Sequence, residues 1–223
     1  MPTTMSPLGV NDPWEVPSIP VDPANALRRK PANYDGTYDP QYASLVYVKF
    51  EGGRLAVKHA HFAKTEVDTT AKIRQKFVAM RTGAPADYYP NSLGENFDSW
   101  AFGSQSKIYI FIDNDSVRFD PENMVQFAKY SARMEGGSKP ERAQNNTFLN
   151  PIIDTGIYPP YEVLVLENWY CDGQGRPIET ENHEKYSMNI HLRMKVSTHD
   201  FPEGFDDVPL VLDPDTGNGG SEP

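Results

Sequence analysis

The chain has 223 residues, a formal net charge of −10 and a single cysteine, Cys171. One cysteine cannot form an internal bridge, which excludes a disulfide-stapled scaffold and suits a reducing compartment. No stretch nears the roughly 18 consecutive apolar residues of a membrane span. The first residues show no basic segment followed by an apolar run, so the expectation is a cytoplasmic protein with no membrane span.

The charge is unevenly placed. After Lys195 there is no Lys or Arg, whereas Asp200, Glu203, Asp206, Asp207, Asp213, Asp215 and Glu222 supply seven negative charges. Setting those seven aside takes the remainder from −10 to −3. The acidity is mostly C-terminal, which argues against nucleic-acid binding by that end and favours solubility or a basic partner.

Residues 1–44 are punctuated by Pro2, Pro7, Pro13, Pro17, Pro20, Pro23, Pro31 and Pro40, too often for a helix or a central strand. An extended, polyproline-like arm is expected. Trp14, Val16, Ile19, Val21, Leu27, Tyr34, Tyr38 and Tyr42 stud it with apolar groups that a solvated linker does not need. Such an arm lies across its own domain, grips a neighbouring subunit or is simply disordered.

The body begins at Leu45. LVYVKF, Glu51-Gly52-Gly53 and RLAVKHAHF read as a β-hairpin, with the glycines able to take the positive φ of a tight turn. Residues 69–81 read as a short helix from Ile73, Phe77 and Met80, although alternation over Ile73–Phe77 also fits a strand. Residues 83–106 are loop-like, and Lys107–Ile112 is a short buried strand followed by a turn at Asp113–Ser116. The clearest helix signal comes next. Asp120 suits an N-cap, Pro121 the first helical position, and Met124, Val125, Phe127, Ala128 and Ala132 form a stripe ended by Gly136-Gly137.

After a second loop over 138–160, YEVLVLENWY (Tyr161–Tyr170) is apolar without a break over Val163–Leu166, the mark of a strand covered on both faces. Tyr186–Val196, YSMNIHLRMKV, alternates strictly, which gives a long strand with one buried and one wet face. The two are expected to be neighbours. Val208–Leu212 adds a short edge strand. Together these elements predict an α+β, mainly β domain over 45–212. It should be an antiparallel, sandwich-like sheet with one clear helix at about 121–134, flanked by the arm and a flexible acidic tail over 213–223.

Few residues point to chemistry. His59 and His61 lie two apart on a strand, so both imidazoles share a face, as in β-barrel metal sites. A divalent metal would need a third ligand from His183, His191 or His199. The plainer reading is two histidines on a wet face. Asp113-Asn114-Asp115 and Asp213-Pro214-Asp215 alternate oxygen ligands but lack the glycine and bidentate glutamate of a calcium loop, so they read as turns. Cys171 precedes a Gly-rich turn without a nucleophile elbow, and Gly173-Gln174-Gly175 is too short for a phosphate loop.

Lys64, Lys72, Arg74, Lys76 and Arg81 form a basic cluster that is too sparse for a nucleic-acid footprint. In the loop 83–106, Tyr88, Tyr89, Trp100 and Phe102 beside amides and carboxylates suit a sugar or another small ligand, or equally an anchor under the sheet. Trp14 and Tyr34 of the arm, and His191, Arg193 and Lys195 of the alternating strand, are the positions at which a protein partner would bind. The functional expectation is a non-catalytic interaction or assembly protein that meets itself or another subunit. The alternatives are a small-molecule or glycan-binding module and a metal-dependent enzyme using His59 and His61.

Overall fold

A computed structural model describes residues 38–51, 54–83, 99–102, 106–129, 148–169, 185–196, 205–212 and 215–218. Among the described residues, two sheets and one α-helix form three layers. Strands β1 (Tyr42–Glu51), β2 (Arg54–Ala63), β4 (Ser106–Asp113), β7 (Phe148–Tyr158) and β8 (Tyr161–Asn168) make a five-stranded sheet in the order β2-β1-β4-β8-β7. Its pairings are antiparallel except β1 with β4, which run parallel.

The β1–β2 hairpin forms as expected, with Glu51 opposite Arg54 so that Gly52-Gly53 alone connects the strands. The unbroken apolar run in β8 also has the predicted consequence. Leu164 and Leu166 pack into a core between the two sheets, whereas Val163 and Val165 pack toward the helix. A strand buried on both faces has no position for a polar alternate, which is why the sequence there loses its period of two.

Helix α1 (Thr70–Thr82) covers the far side of this sheet. The Thr69 side chain caps it by accepting the Lys72 N–H at 3.3 Å. Gly83 ends it with φ 70, a left-handed conformation that favours glycine. Ile73, Phe77 and Met80 form its buried face, so helical spacing decides the ambiguous segment.

The second sheet contains β3 (Ser99–Phe102), β5 (Val117–Phe119), β6 (Val125–Lys129), β9 (Lys185–Val196), β10 (Phe205–Leu212) and β11 (Asp215–Asn218). Its organiser is β9. On one edge β9 pairs with β5 and β6, and on the other with β10 and β11; Ile190, for example, lies between Val125 and Leu212, and Ser187 between Ala128 and Asp215. Met188, Ile190 and Leu192 point into the core between the sheets. Glu162 on β8 ties the layers together by accepting the Phe119 N–H of β5 at 3.0 Å.

Four expectations change. The helix at about 121–134 is overturned where the chain is described, because Val125–Lys129 pairs antiparallel with β9. Its start signal has a different use: Asp120 Oδ1 accepts the Glu122 N–H at 3.0 Å in a bend, while His191 bonds to Asp120 and Met124 through its main chain. Tertiary pairing outweighs the local cap signal.

The strand Tyr161–Asn168 is not a neighbour of β9 but lies in the other sheet. Within 83–106, Ser99–Phe102 is a strand rather than loop. At the C-terminal side, Asp215–Asn218 is a strand paired with β9 and parallel with β3, so these four residues belong to the sheet instead of a flexible tail.

The end of the N-terminal segment is tied to the body. Tyr38 stacks on Trp169 with ring centroids 4.7 Å apart and donates its hydroxyl to the Ser106 carbonyl at 2.8 Å. Tyr42–Ser44, expected in the arm, belong to β1, and residues 1–37, including Trp14 and Tyr34, lie outside the described residues.

Candidate functional site

The hairpin register places Val46 opposite His59 and Ser44 opposite His61. Cross-strand partners share a face, and Val46 and Val57 belong to the core between the sheets. His59 and His61 therefore point into the sandwich, each only 3% exposed, instead of lying on a wet face. Their ring centroids are 4.9 Å apart, and His59 also meets the Phe102 ring edge-on at 5.4 Å.

Ser44 Oγ lies 2.7 Å from His61 Nδ1. Nε2 of both histidines is buried with no hydrogen-bond partner among the described residues. Leaving a polar atom buried and unmatched costs about 1–3 kcal/mol. Two such atoms on adjacent positions of one face call for an account.

Burial drives both imidazoles toward the neutral form. It pushes the His61 pKa down to about 4. His59 falls well below its ordinary value through burial first and the neighbouring His61 second. As a general base, each would be too weak at neutral pH. Among the described residues, no group of three or more His, Cys, Asp or Glu side chains is placed to hold a metal ion.

Trp100 and Phe102 of β3 are both 0% exposed and fill the core between the sheets. Their place in the sheet corrects their assignment to a ligand-binding loop, since neither offers surface to a sugar. Tyr88 and Tyr89, like Cys171, His183 and His199, lie outside the described residues.

The β9 positions expected to meet a partner are also more enclosed than alternation implied. His191, Arg193 and Lys195 are half-buried. Arg193 pairs with Asp120 at 3.1 Å. Burial acts to raise the Asp120 pKa, but the Glu122 N–H and the Arg193 guanidinium outweigh it and hold the carboxyl below its usual range.

A second polar cluster sits at the end of α1. Tyr47 donates to Asp113 Oδ2 at 2.6 Å, Arg81 pairs with Asp113 Oδ1 at 3.1 Å, and Arg81 donates to the Tyr161 hydroxyl at 3.2 Å. Burial, then the Asp113 carboxylate, raises the Tyr47 pKa strongly, so the phenol stays protonated. The adjoining segment is the expected turn, with Asn114 Oδ1 accepting the Ser116 N–H at 2.8 Å.

The basic cluster is consumed internally. Lys64 pairs with Asp39, Lys72 with Asp68 and Lys76 with Glu66, while Arg74 donates to the Ile157 and Gly156 carbonyls at 2.8 and 2.9 Å.

Sequence reasoning missed Ser44, Tyr47 and Asp113 as partners. The two-glycine turn contains the signal for Ser44, because a two-residue hairpin loop sets the register that puts it opposite His61. Nothing local marks Asp113, whose partners come from β1 and α1. Comparison with protein families, with curated proteins and with solved structures finds no match for this chain.

Proposed function

We propose that this chain is a non-catalytic interaction or assembly protein, a rigid β-rich body whose N-terminal arm grips a neighbouring subunit, in the first instance a second copy of itself. The observation that carries this reading is the anchor at Tyr38. Stacking on Trp169 and the hydrogen bond to Ser106 fix the point at which the arm joins the body. A fixed root lowers the ordering entropy that a gripping segment loses on binding.

Two further features support it. The arm's sequence carries Trp14, Val16, Ile19, Val21, Leu27 and Tyr34 between prolines, a composition suited to lying along an apolar surface. Among the described residues, Lys64, Lys72, Lys76 and Arg81 beside the helix are held in intrachain ion pairs.

Deleting residues 1–37 while keeping Tyr38 should lower the mass per particle measured by light scattering, with the melting temperature little changed. A truncated chain with the same particle mass as the full chain defeats the reading.

A further inference from the structure

We infer that the outer edge of β2 receives one more strand, residues Leu8–Ser18 from the arm of a neighbouring copy, added antiparallel. This deepens the reading of the arm as a grip, and rests on it. Among the described residues β2 pairs with β1 alone. The Lys64 N–H bonds to the Gln41 carbonyl at 2.8 Å, and alternate residues of an antiparallel ladder face the same way, so Phe62, Ala60, Lys58 and Ala56 also face β1. The N–H and C=O groups of Leu55, Val57, His59 and His61 therefore point outward. Val57, His59 and His61 are only 1, 3 and 3% exposed, so water does not satisfy this row. Buried main-chain groups are almost always paired, and a strand is the partner that pairs a whole row.

The other long edges carry devices that stop pairing. In β7 there are Pro151 and two shifts of register, and Arg74 occupies the Gly156 and Ile157 carbonyls. In β10 there are Pro209 and one shift. Over ten residues β2 has no proline and no break in register, and its Lys58 reaches back to the Met80 carbonyl of α1. Proline, bulges and free lysines are the usual guards of a sheet edge, and β2 has none of them.

The arm's sequence matches this edge. Pro7, Pro13 and Pro17 fall on odd positions, whereas Leu8, Val10, Asp12, Trp14, Val16 and Ser18 fall on even ones. Alternate residues of an extended chain turn their N–H groups to opposite sides. Every even-side N–H is thus present, and each proline faces away, where an edge strand tolerates it. Antiparallel pairing sets the even side chains beside those of Leu55, Val57, His59 and His61, so Leu8, Val10, Trp14 and Val16 extend the core between the sheets. On the other face, Gly9, Asn11 and Glu15 lie with exposed Ala56. The prolines then close the new edge to any further strand. Residues 19–37 span up to about 63 Å at roughly 3.3 Å per residue, enough to reach a neighbouring body from the anchor at Tyr38.

The test substitutes proline by parity in the full chain. Asp12→Pro and Val16→Pro each remove an N–H that faces β2, whereas Asn11→Pro and Glu15→Pro remove one that faces away. The even-position variants should fall to the particle mass of the chain lacking residues 1–37, and the odd-position variants should keep that of the full chain. Amide exchange followed by NMR should quicken at least about tenfold at Val57, His59 and His61 in the even-position variants alone.

If deleting residues 1–37 lowers the particle mass but all four proline variants behave alike, the arm grips without adding a strand; the inference falls and the reading of the arm stands. A parity effect on mass without faster exchange in β2 puts the strand on another edge and overturns the inference. A parity effect on exchange at unchanged mass puts it on the chain's own edge, which overturns the exchange between copies. A deletion that leaves the mass unchanged defeats the reading of the arm, and this inference with it.

Discussion

The two faces of the five-stranded sheet treat polar atoms differently. On the helix side, Tyr47 and Arg81 satisfy Asp113, and Arg74 takes two carbonyls at the bulged end of β7. On the other side, two imidazoles enter a core of Val, Ile, Leu, Phe and Trp and leave a nitrogen each without a partner among the described residues. Matched polar groups at the rim of a core are explained by folding alone. The histidine pair is not, because apolar side chains at those positions would avoid the cost of unmatched atoms.

The largest effect should come from the helix-side core. Phe111 is fully buried between Phe77 and Tyr158, with ring centroids at 5.3 and 4.7 Å. Phe111→Ala should lose about 3–5 kcal/mol in urea unfolding.

Next comes acid. A histidine whose pKa is depressed by folding contributes stability that is complete above its unfolded value and is lost as the pH falls toward the folded one. For His61 the window runs from 6.5 down to about 4, and for His59 it extends lower. The chain should therefore lose about 1.4 kcal/mol per pH unit for each histidine as the pH falls through that range. Chemical denaturation across pH should show this slope reduced in His61→Leu, and an unchanged slope would contradict the burial of that ring.

Tyr47→Phe tests the matched side, since it removes one of the two partners of Asp113. It should cost about 1–3 kcal/mol by the same denaturation. His59→Leu, by contrast, should leave the stability of the chain at neutral pH within about 1 kcal/mol of wild type, or raise it. If Tyr47→Phe is harmless and His59→Leu is severe, the contrast between the two faces is wrong.

The parts of this fold legible in the sequence are those in which one strand or helix carries its own pattern. Strict alternation made β9 recognisable, and its place at the centre of the second sheet follows from a long apolar face joined to two paired edges. The unbroken run in β8 showed its burial on both sides, and Gly52-Gly53 showed the hairpin. What stayed hidden depends on contacts between distant segments. The stripe at Val125 and Phe127 fits a helix locally but also places two residues on one face of a strand, and only β9 decides between them.

Trp100 and Phe102 are likewise two apart, yet their loop-like surroundings concealed a strand whose partner lies more than a hundred residues later. The pairing of His59 with His61 was readable, but their direction was not. Lys58 and Ala60 flank His59 with one polar and one small residue, so the pattern alone does not say which face is buried.

The position of β10 and β11 along β9 has a consequence for how the protein is made. Synthesis runs from the N-terminus, so β1, β2, β4, β7 and β8 can complete their sheet before residues 205–218 exist. One edge of β9 must wait for those residues, and β3 waits still longer for its parallel partner β11. During that interval the inner face of the first sheet, histidines included, lacks part of its cover, and the nascent chain carries an open strand edge of the kind that invites mispairing. Closure of the second layer is then a late step, and the histidine pair is sealed when it occurs.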